Sequence, residues 1–188
     1  MKVLVLGGSK SGKSMFAQRL VRALAHGGQM LYWATMIPTD REDEERIAKH
    51  LSDRAGWGFE TVECGRALQT ALPLKEGASV LFDSVTALLA NEMFLGNEPD
   101  AGAPARALDD LIAVSGAADN FVCVCDDLFR DGSRYEDWTD EYVRGLGRIC
   151  CGLAEQFDVV CEIEAGLVKL HKGTLAPETL FEINGAVK

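Results

Sequence analysis

The residues with the clearest chemical purpose lie near the start of the chain, in the stretch Gly7-Gly8-Ser9-Lys10-Ser11-Gly12-Lys13-Ser14. Gly7 and Gly12 permit tight turns that aim successive backbone N–H groups at phosphate oxygens, and a helix starting at the end of the loop adds partial positive charge. Lys13 would reach the β- and γ-phosphates of a nucleotide, and the Ser14 hydroxyl would face Mg²⁺. The spacing Gly-x4-Gly-Lys-Ser/Thr arises by chance in roughly one chain per hundred or fewer of this length. A glycine-rich turn with no ligand is the alternative. The flanks argue against it, because the apolar run Val3–Leu6 precedes the loop and helix-like Met15–Ala25 follows.

Acids come next. Ser79-Val80-Leu81-Phe82-Asp83 is an apolar strand ending in a carboxylate, the form that carries a metal-binding acid to the edge of an open α/β sheet where ligands bind. An acid that merely ends a strand is the plainer reading of Asp83. Asp126-Asp127 follow the apolar segment Asn120–Cys125 and read either as a metal-binding or hydroxyl-orienting pair or as a loop N-cap.

The elements that must position these groups alternate. Strand patterns at Gln29–Thr35, Phe59–Glu63, Val159–Ile163 and Leu167–Leu170 join those already named. Helices are expected from about Glu42 to Leu51 behind a Pro38-Thr39-Asp40 turn, and over Arg66–Leu72, Ser84–Leu95, Ala105–Ser115 and Trp138–Phe157. The last carries Tyr142, Leu146, Ile149 and Leu153 as a buried stripe. Gly96–Pro104 reads as a loop, and the tail Gly173–Lys188 as an edge or a partner contact. Strand, phosphate loop, helix, strand is the opening of a mostly parallel sheet, so the expectation is a three-layer α/β fold of the P-loop NTPase kind, as a single nucleotide-binding domain over 1–188.

Composition narrows the function. The 188 residues are 47% hydrophobic and 26% charged, enough for one sizeable core, and the formal net charge of −10 argues against a nucleic-acid surface. No apolar run approaches the roughly 20 residues that span a bilayer, and no cleavable signal pattern is visible, so a cytoplasmic protein is expected. The six cysteines show no Cys-x-x-Cys spacing, and small buried hydrophobes are the expected role for most.

Several segments together resemble the bifunctional adenosylcobinamide kinase/adenosylcobinamide-phosphate guanylyltransferases. They are the Gly-Gly-Ser-Lys-Ser-Gly-Lys-Ser loop, Tyr32-Trp33-Ala34-Thr35, Arg46-Ile47-Ala48-Lys49-His50 with Arg54 and Thr61-Val62-Glu63, and Leu81-Phe82-Asp83-Ser84-Val85-Thr86 with Asn91. The likeness covers most of 1–95 and, more loosely, 120–170. The family's Asn-Glu-Val-Gly motif is Asp126-Asp127-Leu128-Phe129 here, and the Pro expected after Arg54 is Ala55.

The resemblance implies phosphorylation of adenosylcobinamide by ATP or GTP, then transfer of GMP from GTP to the resulting phosphate. Lys13 and Asp83 would serve the phosphoryl step with Mg²⁺ on Ser14, Asp83 and Asp127. Arg46 and Glu63 would join the loop residues Gly7, Gly8, Ser9, Lys10, Ser11, Gly12 and Ser14 in holding the nucleotide. His50 would be the guanylylated nucleophile, because an imidazole both attacks and leaves near neutral pH; a solvated helix residue is the plainer alternative. The resemblance also implies a homotrimer. A small P-loop kinase lacking guanylyl transfer and a GTP-binding regulatory protein stand as the competing readings.

Overall fold

The computed structural model describes residues 1–38, 40–128 and 135–185, with the side chains of Glu42, Arg46, Lys49, His50, Asp53, Phe181, Glu182 and Asn184 outside the description. Thr39 of the expected turn and Phe129 also lie outside it. Strands β1 (Lys2–Gly7), β2 (Met30–Ala34), β3 (Phe59–Glu63), β4 (Ser79–Asp83), β5 (Asn120–Asp126), β6 (Val159–Glu164) and β7 (Leu167–Lys172) form one seven-stranded sheet in the order β3-β2-β4-β5-β1-β6-β7. All neighbours pair in parallel except β6 and β7, which the Ala165-Gly166 turn joins as an antiparallel hairpin. The central strands are buried on both faces, as continuous apolar runs such as Val-Leu-Val-Leu and Phe-Val-Cys-Val-Cys require.

Helices cover both faces. Helix α1 (Lys13–Ala25) lays Phe16, Ala17, Leu20 and Val21 on Val3, Val5, Leu81 and Val122. Helices α3 (Val85–Met93), α4 (Ala103–Ala117) and α5 (Asp137–Gln156) cover the opposite face, with Leu146, Ile149 and Leu153 of the expected stripe buried. Rings of Trp33, Phe82, Phe121 and Phe157 run through this second core at centroid spacings of 6.1, 5.8 and 6.0 Å. Such pairs contribute roughly 0.5–1.5 kcal/mol each beyond burial. Cys123, Cys125, Cys150 and Cys161 lie in these cores, and burial pushes the Cys161 thiol up to about 12.

Three expectations need correction. Arg66–Leu72 is a single 3-10 turn over Leu68–Ala71, because Pro73 blocks continuation and the Asp110 carboxylate, from α4, accepts the Leu68 N–H and the Gln69 amide. Helix α4 begins at Ala103, inside the expected Gly96–Pro104 loop, since Pro104 sits in the first turn where its missing N–H is no loss. The tail does not form the sheet edge, which is β7: α6 (Pro177–Gly185) packs on α1, burying Leu175 and Ile183.

Candidate active site

The phosphate loop joins β1 to α1 and is pinned from outside. Asp127 N–H donates to the Gly7 carbonyl at 3.1 Å, and Gly166 N–H, from the β6–β7 turn, to the Ser11 carbonyl at 3.0 Å. Gly12 takes φ 96 and is the N-cap position of α1, so the first helical N–H groups open into the loop. Gly7 is required for a different reason. An added Cβ would stand 2.6 Å from Ser11 Oγ and 2.7 Å from the Ile163 carbonyl.

Lys13 is buried and its ammonium is already placed. Nζ lies 2.6 Å from Asp126 Oδ1 and donates to the Gly8 carbonyl at 3.1 Å. Asp126 ends β5, the strand beside β1, and its register partner is Gly7 itself. Both acids lie at the loop, Asp126 through its ion pair with Lys13 and Asp127 through its backbone N–H on the Gly7 carbonyl.

Asp83 ends β4, one strand further out, with β5 between it and β1. Its carboxylate accepts the Tyr32 hydroxyl at 2.9 Å. Burial first, and then the Asp83 charge, drive the Tyr32 phenol far above its ordinary value, so it stays a neutral donor. The Arg54 guanidinium stacks on the other side of this pair, 3.3 Å from the Tyr32 ring centroid. Ser84 caps α3 by accepting the Ala87 N–H, and Thr35 exchanges hydrogen bonds with the Ser84 backbone.

These groups form one wall of a cavity of about 500 Å³ between α2 (Arg41–Asp53) and the carboxyl ends of β2, β3 and β4. Ile47 and Leu51 of α2 line it together with Met36 and Ile37. Its floor follows from register: Ala34 pairs with Glu63 on one side and Asp83 on the other, so two acidic residues with Cα atoms roughly 10 Å apart flank a methyl group. Asn91, from α3, donates to the Thr35 and Gly65 carbonyls at 2.7 and 2.9 Å and so ties together the loops after β2 and β3.

The expected site residues thus fall into two groups. Gly7 through Ser14 form the loop, with Ser9 and Lys10 exposed on it; Asp83 and Glu63 border the cavity. Arg46 and His50 fall on α2, but their side chains lie outside the description. Trp33 is buried with its indole N–H on the Cys64 carbonyl, and the Arg22 guanidinium lies over the half-buried Trp57 ring, 5.4 Å from its centroid. Sequence reasoning left Arg54 and Tyr32 without a role. Arg54 is the C-cap residue of α2 and Tyr32 lies on β2, so the two meet only when α2 folds back over the sheet.

A glycine-turned loop at the amino end of α1, with a buried lysine behind it and acids at neighbouring strand ends, defines a P-loop nucleotide-binding protein. The sequence profile of the family described as cobinamide kinase / cobinamide phosphate guanyltransferase matches residues 3–170, and the chain belongs to that family. It is 37% identical over 127 residues to the bifunctional adenosylcobalamin biosynthesis protein CobU of Salmonella typhimurium, covering 63% of this chain and 67% of that one. It is 38% identical over 102 residues to the bifunctional adenosylcobalamin biosynthesis protein CobP of Pseudomonas aeruginosa, covering 53% and 56%. Among solved structures, a prototypical ATPase from the type III secretion system of pathogenic bacteria is similar with a TM-score of 0.52 at 14% identity, over 98% of this chain and 61% of that one. At that identity the likeness is one of fold alone. No helix among the described residues is long and apolar enough to cross a membrane.

Proposed function

We propose that this chain phosphorylates the aminopropanol hydroxyl of adenosylcobinamide with ATP or GTP, and then transfers GMP from GTP to the product. The observation that carries the reading is the buried Lys13 held at the mouth of the phosphate loop, in a chain of this family. In the first step the substrate hydroxyl oxygen attacks the γ-phosphorus, the β–γ bridging oxygen leaves with the nucleoside diphosphate, and the hydroxyl proton passes to a nearby base. The transition state is loose and spreads charge over the transferring oxygens, so positioning and electrostatics do most of the work. The loop N–H groups and Lys13 supply both. Lys13 exchanges Asp126 for phosphate as the nucleotide enters, which leaves the Asp126 carboxylate beside the reacting centre and able to orient the hydroxyl.

The oxygen donors Ser14, Asp83 and Asp127 have the hardness that suits Mg²⁺, an ion that keeps water and phosphate oxygens in its shell and so needs few protein ligands. Bound there, it would neutralise charge on the bridging phosphates. In the second step a His50 nitrogen attacks the α-phosphorus of GTP and pyrophosphate leaves; the corrinoid phosphate oxygen then attacks the phosphoramidate and the imidazole leaves. Arg46, one turn earlier on α2, would hold a phosphate.

The test is incubation with α-labelled GTP and Mg²⁺ followed by denaturing electrophoresis. An acid-labile, alkali-stable adduct that vanishes in His50→Ala, while kinase turnover persists, is the expected result. Absence of any adduct in protein that phosphorylates adenosylcobinamide would leave a kinase without the guanylyl step. Absence of both activities in protein that binds GTP would leave the regulatory reading.

A further inference from the structure

We propose that Thr86 is a positioning residue for the phosphate loop: by holding the end of β5 it fixes the Asp126 carboxylate on Lys13. The inference rests on the exchange of Asp126 for phosphate at Lys13 proposed above, and it names the group that controls that exchange. Strand β4 ends at Asp83, whose register partner on β5 is Val124, and Ser84 then turns the chain into α3. Strand β5 runs on through Cys125 to Asp126. On its β1 side this overhang stays paired, with Asp126 opposite Gly7 and the Asp127 N–H on the Gly7 carbonyl. On its β4 side the ladder has already ended. Thr86, in the first turn of α3, supplies the missing acceptor, and its Oγ1 takes the Asp126 N–H at 2.9 Å.

The Thr86 side chain thus stands where a strand would, and Thr86 is itself held. The Tyr142 hydroxyl, from α5, donates to the Thr86 carbonyl at 2.9 Å, and Cys125 Sγ lies 3.8 Å from Thr86 Oγ1. Burial first, and then Cys125 and Asp126, drive the Tyr142 phenol far above its ordinary value, so it remains a neutral donor. The line Tyr142, Thr86, Asp126, Lys13 carries the packing of α3 and α5 to the loop through contacts of 2.9, 2.9 and 2.6 Å. Its last link is the sensitive one. An ion pair with a partly exposed carboxylate is weak on its own, so its persistence depends on where the backbone places Asp126. Without the Thr86 oxygen the Asp126 N–H loses its acceptor, and the overhang must turn toward water to find another, which draws the carboxylate away from Lys13. A threonine that only stabilised the fold would act the same whether or not position 126 carries a charge. That difference makes the assignment testable.

The test is a double-mutant cycle on the full chain, T86V and D126N alone and together, read by calorimetric titration with inorganic tripolyphosphate. T86V removes the oxygen and keeps the branched shape. Because Asp126 competes with phosphate for Lys13, T86V should tighten tripolyphosphate by about two- to fivefold, in the same direction as D126N, and should add less than about twofold in the D126N background. T86S keeps the oxygen and should bind as the unsubstituted chain does. In phosphorylation of adenosylcobinamide, T86V should lower kcat by about tenfold with the nucleotide KM unchanged or lower, since a displaced Asp126 no longer orients the acceptor; T86S should restore kcat. Thermal melts establish which variants are folded; if T86V is not, T86A removes the same oxygen with less bulk and decides. Equal effects of T86V in the natural and D126N backgrounds, weaker tripolyphosphate binding in T86V, or no recovery in T86S would overturn the inference. Absence of phosphorylation in protein that completes the binding cycle as expected removes the activity proposed above and leaves Thr86 its role; phosphorylation by the unsubstituted chain with an additive cycle removes the role of Thr86 alone.

Discussion

The phosphate loop uses eight consecutive residues, Gly7–Ser14, whereas the cavity beside it assembles side chains from β2, the loop after it, α2, β3, β4 and α3, spread from Tyr32 to Ala87. The loop is specified by local rules: glycines where the backbone must turn, and a helix amino end where charge is wanted. The cavity has no such local rule. Its floor exists because β2 lies between β3 and β4, and Arg54, the one cation among the described residues that line it, rests on a ring of β2, three strands from β1. The loop should therefore fail through single residues with large effects on chemistry, and the cavity through small losses of support.

The largest effect should come from Lys13→Ala. Removing the cation from the transferring phosphates should lower triphosphate-dependent turnover by about 10²–10³-fold or more with an unchanged melting temperature. Near-normal kcat in the folded variant would show that the loop binds without catalysing.

Paired glycine substitutions sharpen the contrast. Gly7→Ala forces a Cβ against Ser11 and Ile163, and Gly65→Ala forces one to 2.7 Å from the Thr35 carbonyl and 2.9 Å from Asn91 Nδ2. Each should cost about 1–3 kcal/mol in denaturant unfolding. Only Gly7→Ala should abolish binding of inorganic tripolyphosphate; loss of that binding in Gly65→Ala as well would show that the two regions are one cooperative unit.

Asn91→Ala removes two hydrogen bonds from the loops that border the cavity, an expected loss of about 1–3 kcal/mol by chemical denaturation. A loss near zero would mean that packing alone holds the loops. The smallest effect is assigned to Asp126→Asn. Its carboxylate is 31% exposed, so releasing Lys13 should change tripolyphosphate affinity only a few-fold, toward tighter binding. Weaker binding would show that Asp126 positions the lysine rather than competing for it.

Much of this was legible in advance for one physical reason. Each strand is an apolar run and each helix a stripe with a cap, so Asp40 and Ser84 announce α2 and α3 by accepting the N–H of Asp43 and Ala87. Where competing local signals met, the sequence misled: Ala67 at φ 45 and Pro73 cut the helix expected at Arg66–Leu72 to one turn. Of the site, the loop and Asp83 were visible. Arg54 was visible only as a matched letter.

The sequence by itself determined the phosphate loop, the alternation of strands and helices and the acids at strand ends, because backbone conformation and side-chain periodicity act over a few residues. Only the tertiary structure decided the strand order. By setting β5 between β1 and β4 it paired Lys13 with Asp126 and brought the Tyr32 hydroxyl onto Asp83. Pairing partners in a parallel sheet are separated by whole helices, and their choice depends on how all the apolar faces close together, which no single stretch of chain encodes.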